Sequence, residues 1–511
     1  HGLYLSRHCP DLLTLSHELM GLHSWFYRNV AFSALIRGAD IAGWKTNLTK
    51  TWLYRGTLHG VVYEDLPQLL ALHPGESYLS GLYGKQLLDS IAEEVIRLME
   101  DGVNSRAEFR RIFSAQYSPE MLESLFSPWG GIFVYLARQG RVAFRDMCAQ
   151  FAKREIAPRW QEADRTRTFP REFLVAAARA GLIGITADES LGGAGLGCYE
   201  EAIAMEEMSK VNPNLAVAVL VQNVAGSILY EHGTAEQRDM ARRVIAGDCM
   251  VAITVTEPEA GNDVASLKTE AVRDGDHWVL NGMKSFITLG GDADILVTLA
   301  RVDREAGRQG MAFFAVDRRS AGVVTSQIDT FVNRPAPTYR VSFDNVRVPE
   351  SRRVDAGFRE IMAGFNRERV MVAARWLGHM QNALNWAREY AAIRHQFGRP
   401  IGANQSIAFQ LAQCHVDIEA TRHLTYHAAT RWDSGVPIRD LILDVSSAKL
   451  LATQAVVRVT QTALHVGGGW GLTDELPAMR LALDALVAPV TVGSWEIQLR
   501  AIAREMGLPC D

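Results

Sequence analysis

Cysteine is scarce: the chain has six among 511 residues, and no two of them form a CxxC pair. This spacing argues against a paired-cysteine zinc site and a disulfide framework, and it is typical of proteins from a reducing compartment. His423 and His427 are four residues apart on a predicted helix, a spacing that can bind a metal. Neither an acidic third ligand nor an HExxH pattern accompanies them, so we expect no metal site.

Long apolar runs and an excess of one charge are also missing. The formal net charge is −5, with both signs mixed along the chain, which does not favour a surface for nucleic-acid phosphates. No apolar run has the length of a membrane span, and no signal peptide is evident. We expect a cytoplasmic protein, or one of the mitochondrial matrix if the source is eukaryotic, with no membrane span and no nucleic-acid partner.

The common nucleotide-binding loops are missing as well, since the chain has neither a strict GxGxxG nor a GxxxxGK[ST] pattern. The periodicity is helical over residues 141–250, changes to short β-branched runs over 251–355, and is helical again over 356–511. This order differs from the alternating βαβ units of a nucleotide-binding sheet. We predict an α+β fold with a helical domain, an antiparallel β domain and a C-terminal helical domain. Residues 1–140 form an N-terminal extension of mostly helical character and unknown role.

Five β-branched runs mark the strands of the middle domain, and turn signals such as Asp274-Gly-Asp276 separate them. The expected strands are Val251–Thr256, Trp278–Leu280, Ile295–Leu299, Phe313–Val316 and Tyr339–Phe343.

Five motifs follow one another in this frame. They are Val255-Thr-Glu-Pro-Glu-Ala-Gly-Asn-Asp263, Leu280-Asn-Gly-Met-Lys-Ser-Phe-Ile-Thr288, Arg394-His-Gln-Phe-Gly-Arg-Pro-Ile401 with Gln405, Gly467-Gly-Gly-Trp-Gly471 and Ala488-Pro-Val-Thr-Val-Gly-Ser-Trp-Glu-Ile-Gln498. We interpret the second as a strand, a turn and a strand. In this order they resemble the acyl-CoA dehydrogenases over residues of about 141–508. The resemblance implies a flavoenzyme that oxidises an acyl thioester between its α and β carbons, with a four-helix bundle as its C-terminal domain.

The resemblance also implies an FAD site built from several motifs. Val255 and Thr256 belong to this site, and Thr256 would hydrogen-bond to the flavin pyrimidine ring. Phe286 and Thr288 would lie against the isoalloxazine. Ser494 and Glu496 would complete the contacts within one subunit. The positions expected to reach the FAD of a neighbouring subunit are Arg394, Phe397, Gln405 and Gly469. The expected assembly is therefore a homodimer or homotetramer.

The catalytic base is the point at which this sequence departs from most of the family. Most members carry a glutamate before the glycine of the fifth motif, and here that residue is Val492. In the isovaleryl and long-chain branches the glutamate stands on a helix, in a stretch that Phe365–Ala374 resembles, and Glu368 matches it. The resemblance thus makes Glu368 the base for the α proton and leaves the Val492 N–H as an oxyanion donor. An alternative for Glu368 is an exposed glutamate paired with Arg367 or Arg369.

The substrate site implied by the resemblance includes Asn262, Arg369, Arg375 and Val492. Val370, Ala373, Ala374, Leu377 and Leu384 form an apolar stripe on the same helix as Glu368. Arg375 has two open interpretations. It either enters the acyl cavity, shortening it or pairing with a polar tail, or it faces outward while Trp376 packs between helices. The acyl chain length stays open, with a weak preference for a short or branched group on CoA or on an acyl carrier.

The leading prediction is an FAD-dependent acyl-CoA dehydrogenase that passes electrons to an electron-transfer flavoprotein. Two alternatives stay open, because a fold does not fix a function. One is a flavin monooxygenase or a nitroalkane-type oxidase, which Val492, Trp495 and His465 keep in play because they depart from the usual pattern. The other is a non-catalytic relative that acts as a DNA-associated or assembly protein, which would need a basic face that the mixed charge does not favour.

Overall fold

The computed structural model describes residues 48–52, 57–63, 85–100, 106–118, 121–122, 125 and 132–510. Two short strands, β1 (Leu48–Trp52) and β2 (Thr57–Tyr63), pair as a two-stranded sheet that the sequence analysis did not predict. The mostly helical character expected of this segment is present in α1 (Lys85–Glu100) and α2 (Arg106–Phe113). Both helices contribute to a small apolar core of their own, which includes Leu88, Val95 and Phe109.

A layer of helices precedes the main sheet. The helices are α3 (Ile132–Phe151), which continues as a π-helical turn (Ala152–Ile156), α4 (Trp160–Thr166), α5 (Arg171–Arg179), α6 (Cys198–Ser209), α7 (Pro213–Glu231) and α8 (Ala235–Ile245). Helix α7 begins where the Asn212 side chain accepts two backbone N–H bonds and Pro213 occupies the first turn. It is long and apolar enough to cross a membrane by composition, but 72% of its apolar window is buried inside the protein. It is therefore a core helix of the protein.

The middle domain is an eight-stranded sheet. Its strands are β3 (Val251–Thr254), β4 (Glu270–Asp274), β5 (His277–Thr288), β6 (Ile295–Arg301), β7 (Met311–Asp317), β8 (Val323–Ile328), β9 (Thr338–Pro349) and β10 (Arg353–Val354). The order is β10-β7-β6-β4-β5-β9-β8, with β3 beside β6. The sheet is mainly antiparallel as predicted, but β3 pairs with β6 in parallel. Its inner face holds Phe314, Val341 and Leu280.

One prediction within the sheet is wrong. The second motif is not a strand, a turn and a strand, because β5 runs without interruption from His277 to Thr288. Two register shifts against β9, between Leu280 and Gly282 and between Lys284 and Ile287, produce the irregularity. The asparagine and glycine that suggested a turn lie in the first of these bulges.

The C-terminal domain contains three long helices and two shorter ones. They are α9 (Phe358–Ile393), α10 (Gln405–Asp433), α11 (Ile438–Gly471), α12 (Ala478–Ala485) and α13 (Trp495–Glu505). A small hairpin of β11 (His395–Gln396) and β12 (Arg399–Pro400) joins α9 to α10. The predicted apolar stripe of α9 is buried throughout. The fourth motif contains a kink at Gly468, where φ is 57°.

Candidate active site

Glu368 lies in the third turn of α9, after a helix start at which the Glu360 carboxylate accepts the Gly357 N–H across 2.9 Å. Its side chain is only partly shielded from solvent, yet the surrounding protein atoms desolvate it enough to raise its pKa to about 7. Arg369 opposes this shift. Within the described chain, Glu368 has no hydrogen-bond or ion-pair partner. A carboxylate of this kind is free to accept a proton from a bound molecule.

The two arginines beside Glu368 have partners of their own. Arg367 donates to Glu201 on α6 across 2.6 Å and also to Thr186. Arg369 donates to Asn366 across 2.6 Å, and its buried Nε lacks a partner among the described residues. The alternative in which Glu368 forms a surface ion pair with either arginine therefore has no support in the hydrogen-bond geometry.

The loop before α13 has an unusual backbone. Val492 adopts φ of 53° and Gly493 adopts φ of 80°. A left-handed conformation is uncommon for a β-branched residue and requires support from its surroundings. Within the described residues the Val492 N–H bonds to no acceptor. The loop thus presents an unsatisfied donor, which is the requirement for an oxyanion site.

Three side chains hold this loop. Lys449 of α11 donates from Nζ to the Gly493 carbonyl, at an N···O distance of 2.6 Å. Gln498 donates to the carbonyls of Val492 and Gly493, at 3.3 and 3.2 Å.

Asn262 and Ser494 form the third attachment. The Asn262 amide donates to Ser494 Oγ across 3.0 Å and accepts the Ser494 N–H across 3.2 Å. The pair joins the β domain to the loop. The structure thus gives Asn262 a partner within the protein, and its contact with substrate stays a prediction.

The sequence analysis missed Lys449 and Gln498 as site residues. The available signal for Lys449 was a lysine within an apolar stretch of α11, between Ala448 and Leu450, since an unpaired lysine is rarely buried.

The first and second motifs meet in one buried ion pair. Lys284 on β5 is fully buried and donates to Glu257 across 2.9 Å and to the Val255 carbonyl across 3.0 Å. Glu257 also accepts the backbone N–H groups of Lys268 and Thr269. Desolvation lowers the pKa of Lys284 to about 8, although the charge of Glu257 opposes the shift. These contacts fix the segment that carries Thr256.

Phe286 has the position and exposure expected of a residue that contacts a flavin. It lies in the second bulge of β5, with φ of 60° and 64% of its surface exposed. An exposed aromatic ring in a strained conformation is typical of a binding surface. The neighbouring Ser285 N–H donates to the Thr256 carbonyl across 2.9 Å, so the two predicted flavin motifs are adjacent. The exposed ring beside the segment of Thr256 suits a flat aromatic cofactor.

Thr288 is half-buried at the end of β5, whereas five other predicted cofactor residues are exposed and belong to a different part of the chain. Arg394, Phe397 and Gln405 flank the β11–β12 hairpin, and Gly469 lies beyond the kink in α11. Phe397 is 98% exposed with φ of 52°. Glu496 is also exposed, in the first turn of α13. No hydrogen bond connects these side chains to the Thr256–Phe286 region within the described chain.

Arg375 has a clear set of partners. Its buried guanidinium donates to the Pro213 carbonyl across 2.8 Å and to Asn214 across 3.0 Å, and it stacks 4.4 Å from the Trp376 ring. Desolvation lowers its pKa to about 10. Arg375 is therefore neither turned outward nor unbonded. It fastens α9 to the start of α7, two turns beyond Glu368.

This fold and these residues define a flavin-dependent oxidoreductase acting on acyl thioesters. Three family models match the chain: the acyl-CoA dehydrogenase N-terminal domain over residues 139–248, the middle domain over 252–346 and the C-terminal domain over 355–507. The chain belongs to the acyl-CoA dehydrogenase family. It is an FAD enzyme that dehydrogenates an acyl-CoA.

Individual relatives agree with this assignment. An acyl-CoA dehydrogenase of Bacillus subtilis is 35% identical over 372 residues, which are 72% of this chain and 97% of the relative. Isovaleryl-CoA dehydrogenase of Solanum tuberosum is 33% identical, over 71% of this chain and 89% of the relative. The solved structure of butyryl-CoA dehydrogenase from Megasphaera elsdenii has a TM-score of 0.68 at 29% identity, covering 72% of this chain and 97% of that one.

Proposed function

We propose that Glu368 is the base that removes the α proton of the acyl-CoA. The observation that carries this proposal is a carboxylate without a partner in the described chain, whose pKa is raised to about 7. A base with a pKa near 7 is about half ionised at neutral pH and still accepts a proton strongly. Val492, at the position where most relatives carry the glutamate, has no group that can take this role.

An electrostatic interaction relates the neighbour of Glu368 on α9 to the loop of Val492. Arg369 follows Glu368 on α9, and its positive charge contributes to the lowered pKa of Lys449. Lys449 in turn binds the Gly493 carbonyl. These interactions support a site shared by the base and the Val492 N–H.

The chemistry follows from these two groups. Removal of the α proton by Glu368 places negative charge on the thioester oxygen, and the Val492 N–H stabilises that charge as it develops. FAD, when bound, accepts the β hydrogen as hydride. Thr256 and Phe286 would hold it, while the Lys284–Glu257 pair keeps the segment of Thr256 in place. The product is a trans-2-enoyl thioester.

Anaerobic bleaching of the flavin tests the proposal. FAD-loaded protein is mixed with acyl-CoAs from four to sixteen carbons, and the flavin absorbance is followed without oxygen. Glu368→Gln should retain FAD and lose bleaching by at least about a thousandfold. Glu389→Gln, an exposed position on the same helix, is the matched control and should bleach like the parent. Equal bleaching by Glu368→Gln and the parent would assign the base elsewhere. Oxygen consumption without an enoyl product would support the oxidase alternative.

We propose a short or branched acyl group as the substrate. The support is that Arg375 and Trp376 are both buried two turns from the base, where Arg375 ties α9 to α7 and bulky side chains leave less room for a long acyl chain. The same panel of acyl-CoAs tests this, since the bleaching rate should fall beyond about six carbons. A maximum at sixteen carbons would contradict it.

We propose a homo-oligomer in which the β11–β12 hairpin contacts a neighbouring subunit. The support is Phe397, whose 98% exposed ring costs solvation free energy unless another surface covers it. Phe397→Ser should yield a smaller species in size-exclusion chromatography and a lower FAD content, whereas Val272→Ser, an exposed apolar position on β4, should change neither.

An electron-transfer flavoprotein is the proposed electron acceptor, and its reduction by the acyl-CoA-reduced enzyme is the direct assay.

A further inference from the structure

Lys449 is a lysine in an environment that ordinarily excludes lysine. Lys449 is completely buried, and no carboxylate of the described chain lies within ion-pair distance of its ammonium group. Burial of an unpaired ammonium is costly, so a side chain retained in this state needs a specific partner. The partner is the carbonyl of Gly493, at an N···O distance of 2.6 Å.

The bond acts on the residue beside the free oxyanion donor. Gly493 follows Val492, and the left-handed conformation of Val492 requires the loop to be held from outside. Gln498 binds the same carbonyl at a longer distance of 3.2 Å. A charged donor forms the stronger of the two bonds. Without it, the loop loses its charged attachment to α11, and the neutral bond from Trp495 Nε1 to Thr453 Oγ1, at 2.9 Å, is left on that helix.

We propose that Lys449 is a positioning residue that fixes the Val492 N–H against the thioester oxygen of the substrate. This inference rests on the proposed function, because it assumes an acyl thioester bound beside Glu368. Lys449 acts through the loop and needs no contact with the substrate. Its effect is specific to ligands that have a carbonyl oxygen.

Burial and two charged groups set the ionisation of Lys449. Arg369 on α9 lowers its pKa and Glu496 on α13 raises it, while burial makes the largest contribution, for a pKa of about 8. Glu368 lies beside Arg369. Loss of the ammonium proton weakens the bond to Gly493, so the positioning should weaken as the pH rises above about 8.

Binding to two matched ligands tests the inference. In FAD-loaded protein carrying Glu368→Gln, which prevents turnover, the affinities for butyryl-CoA and for S-butyl-CoA, a thioether without the carbonyl, are measured by calorimetry. Added Lys449→Met should weaken butyryl-CoA binding by about tenfold and leave S-butyl-CoA binding unchanged. Lys449→Arg should restore most of the difference, and exposed Lys153→Met should have no effect. Equal weakening of both ligands, or of neither, would overturn the inference.

The bleaching rate provides a second readout. With Glu368 intact, the parent should lose rate above about pH 8, and Lys449→Arg should not, because arginine stays charged. An unchanged alkaline decline in Lys449→Arg would contradict the inference. Failure of the proposed function is distinguishable, because Glu368→Gln with Lys449 intact would then bleach like the parent, whatever the outcome for the Lys449 variants.

Discussion

Arg367 and Glu368 are adjacent on α9, but only the arginine is paired. The Arg367 guanidinium is 2.6 Å from Glu201, whereas Glu368 has no partner in the described part of the chain. A negative charge on Glu368 is therefore compensated mainly by Arg369, which does not cancel the effect of desolvation on its pKa. The protonation of Glu368 should therefore be visible in the pH dependence of the reaction rate and of the thermal stability.

The rate of flavin reduction should increase with pH through about pH 7. Glu368 must be ionised to accept the α proton, and its pKa is raised to about 7. At about pH 6 the rate should be near one tenth of its plateau, as expected for a single ionisation. Rapid-mixing measurements with the FAD-loaded enzyme and butyryl-CoA give this profile. A rate that stays constant between pH 5.5 and 7.5 would show that Glu368 is not the titrating base.

Thermal stability gives a test that does not depend on turnover. A carboxyl whose pKa is higher in the folded than in the unfolded state stabilises the protein below the unfolded value of about 4.3, and this contribution is lost as the pH rises through about 7. Glu368→Gln removes the ionisable group. Its Tm relative to the parent should therefore increase between about pH 5 and pH 8. The exposed Glu389→Gln variant should show no such trend, and a Tm difference independent of pH would contradict the raised pKa.

The order of the helical and β layers could be predicted from the sequence, but the geometry of the loops and bulges could not. The stripe from Val370 to Leu384 identifies the buried face of α9, because helical periodicity directly reflects burial. Strands β4 and β8 were missed, since β8 alternates between half-buried and exposed residues without a strong apolar signal. The bulge at Phe286 could not be predicted, because a register shift depends on the partner strand β9.

The same distinction applies to the site. Glu368 was found through its motif, which is local in sequence. The attachments of the Val492 loop come from α11, α13 and the β domain, through Lys449, Gln498 and Asn262. Their convergence is a tertiary property that no local pattern contains.

Transfer of the base should restore part of the activity. In most of the family the glutamate stands where Val492 does here, and the reaction requires a carboxylate near one carbon and not a particular backbone origin. The double variant Glu368→Gln/Val492→Glu should therefore bleach at least about tenfold faster than Glu368→Gln alone. Single Val492→Glu controls for any effect of the new side chain on FAD binding. No recovery in a double variant with full FAD content would show that the loop cannot present a base in this protein.

Loss of the Lys284 ammonium should destabilise the protein strongly. Lys284→Met leaves the buried Glu257 carboxylate with only the backbone donors of Lys268 and Thr269, and breaking a buried pair from one side typically costs about 3–5 kcal/mol. Urea unfolding of the FAD-free protein should show this loss, and the FAD content should fall because the segment of Thr256 loses its attachment. Adding Glu257→Gln to Lys284→Met removes the unpaired charge and should recover part of the stability. Exposed Lys268→Met is the control for loss of a lysine. If the double variant were no more stable than Lys284→Met, the unpaired carboxylate would not be the source of the loss.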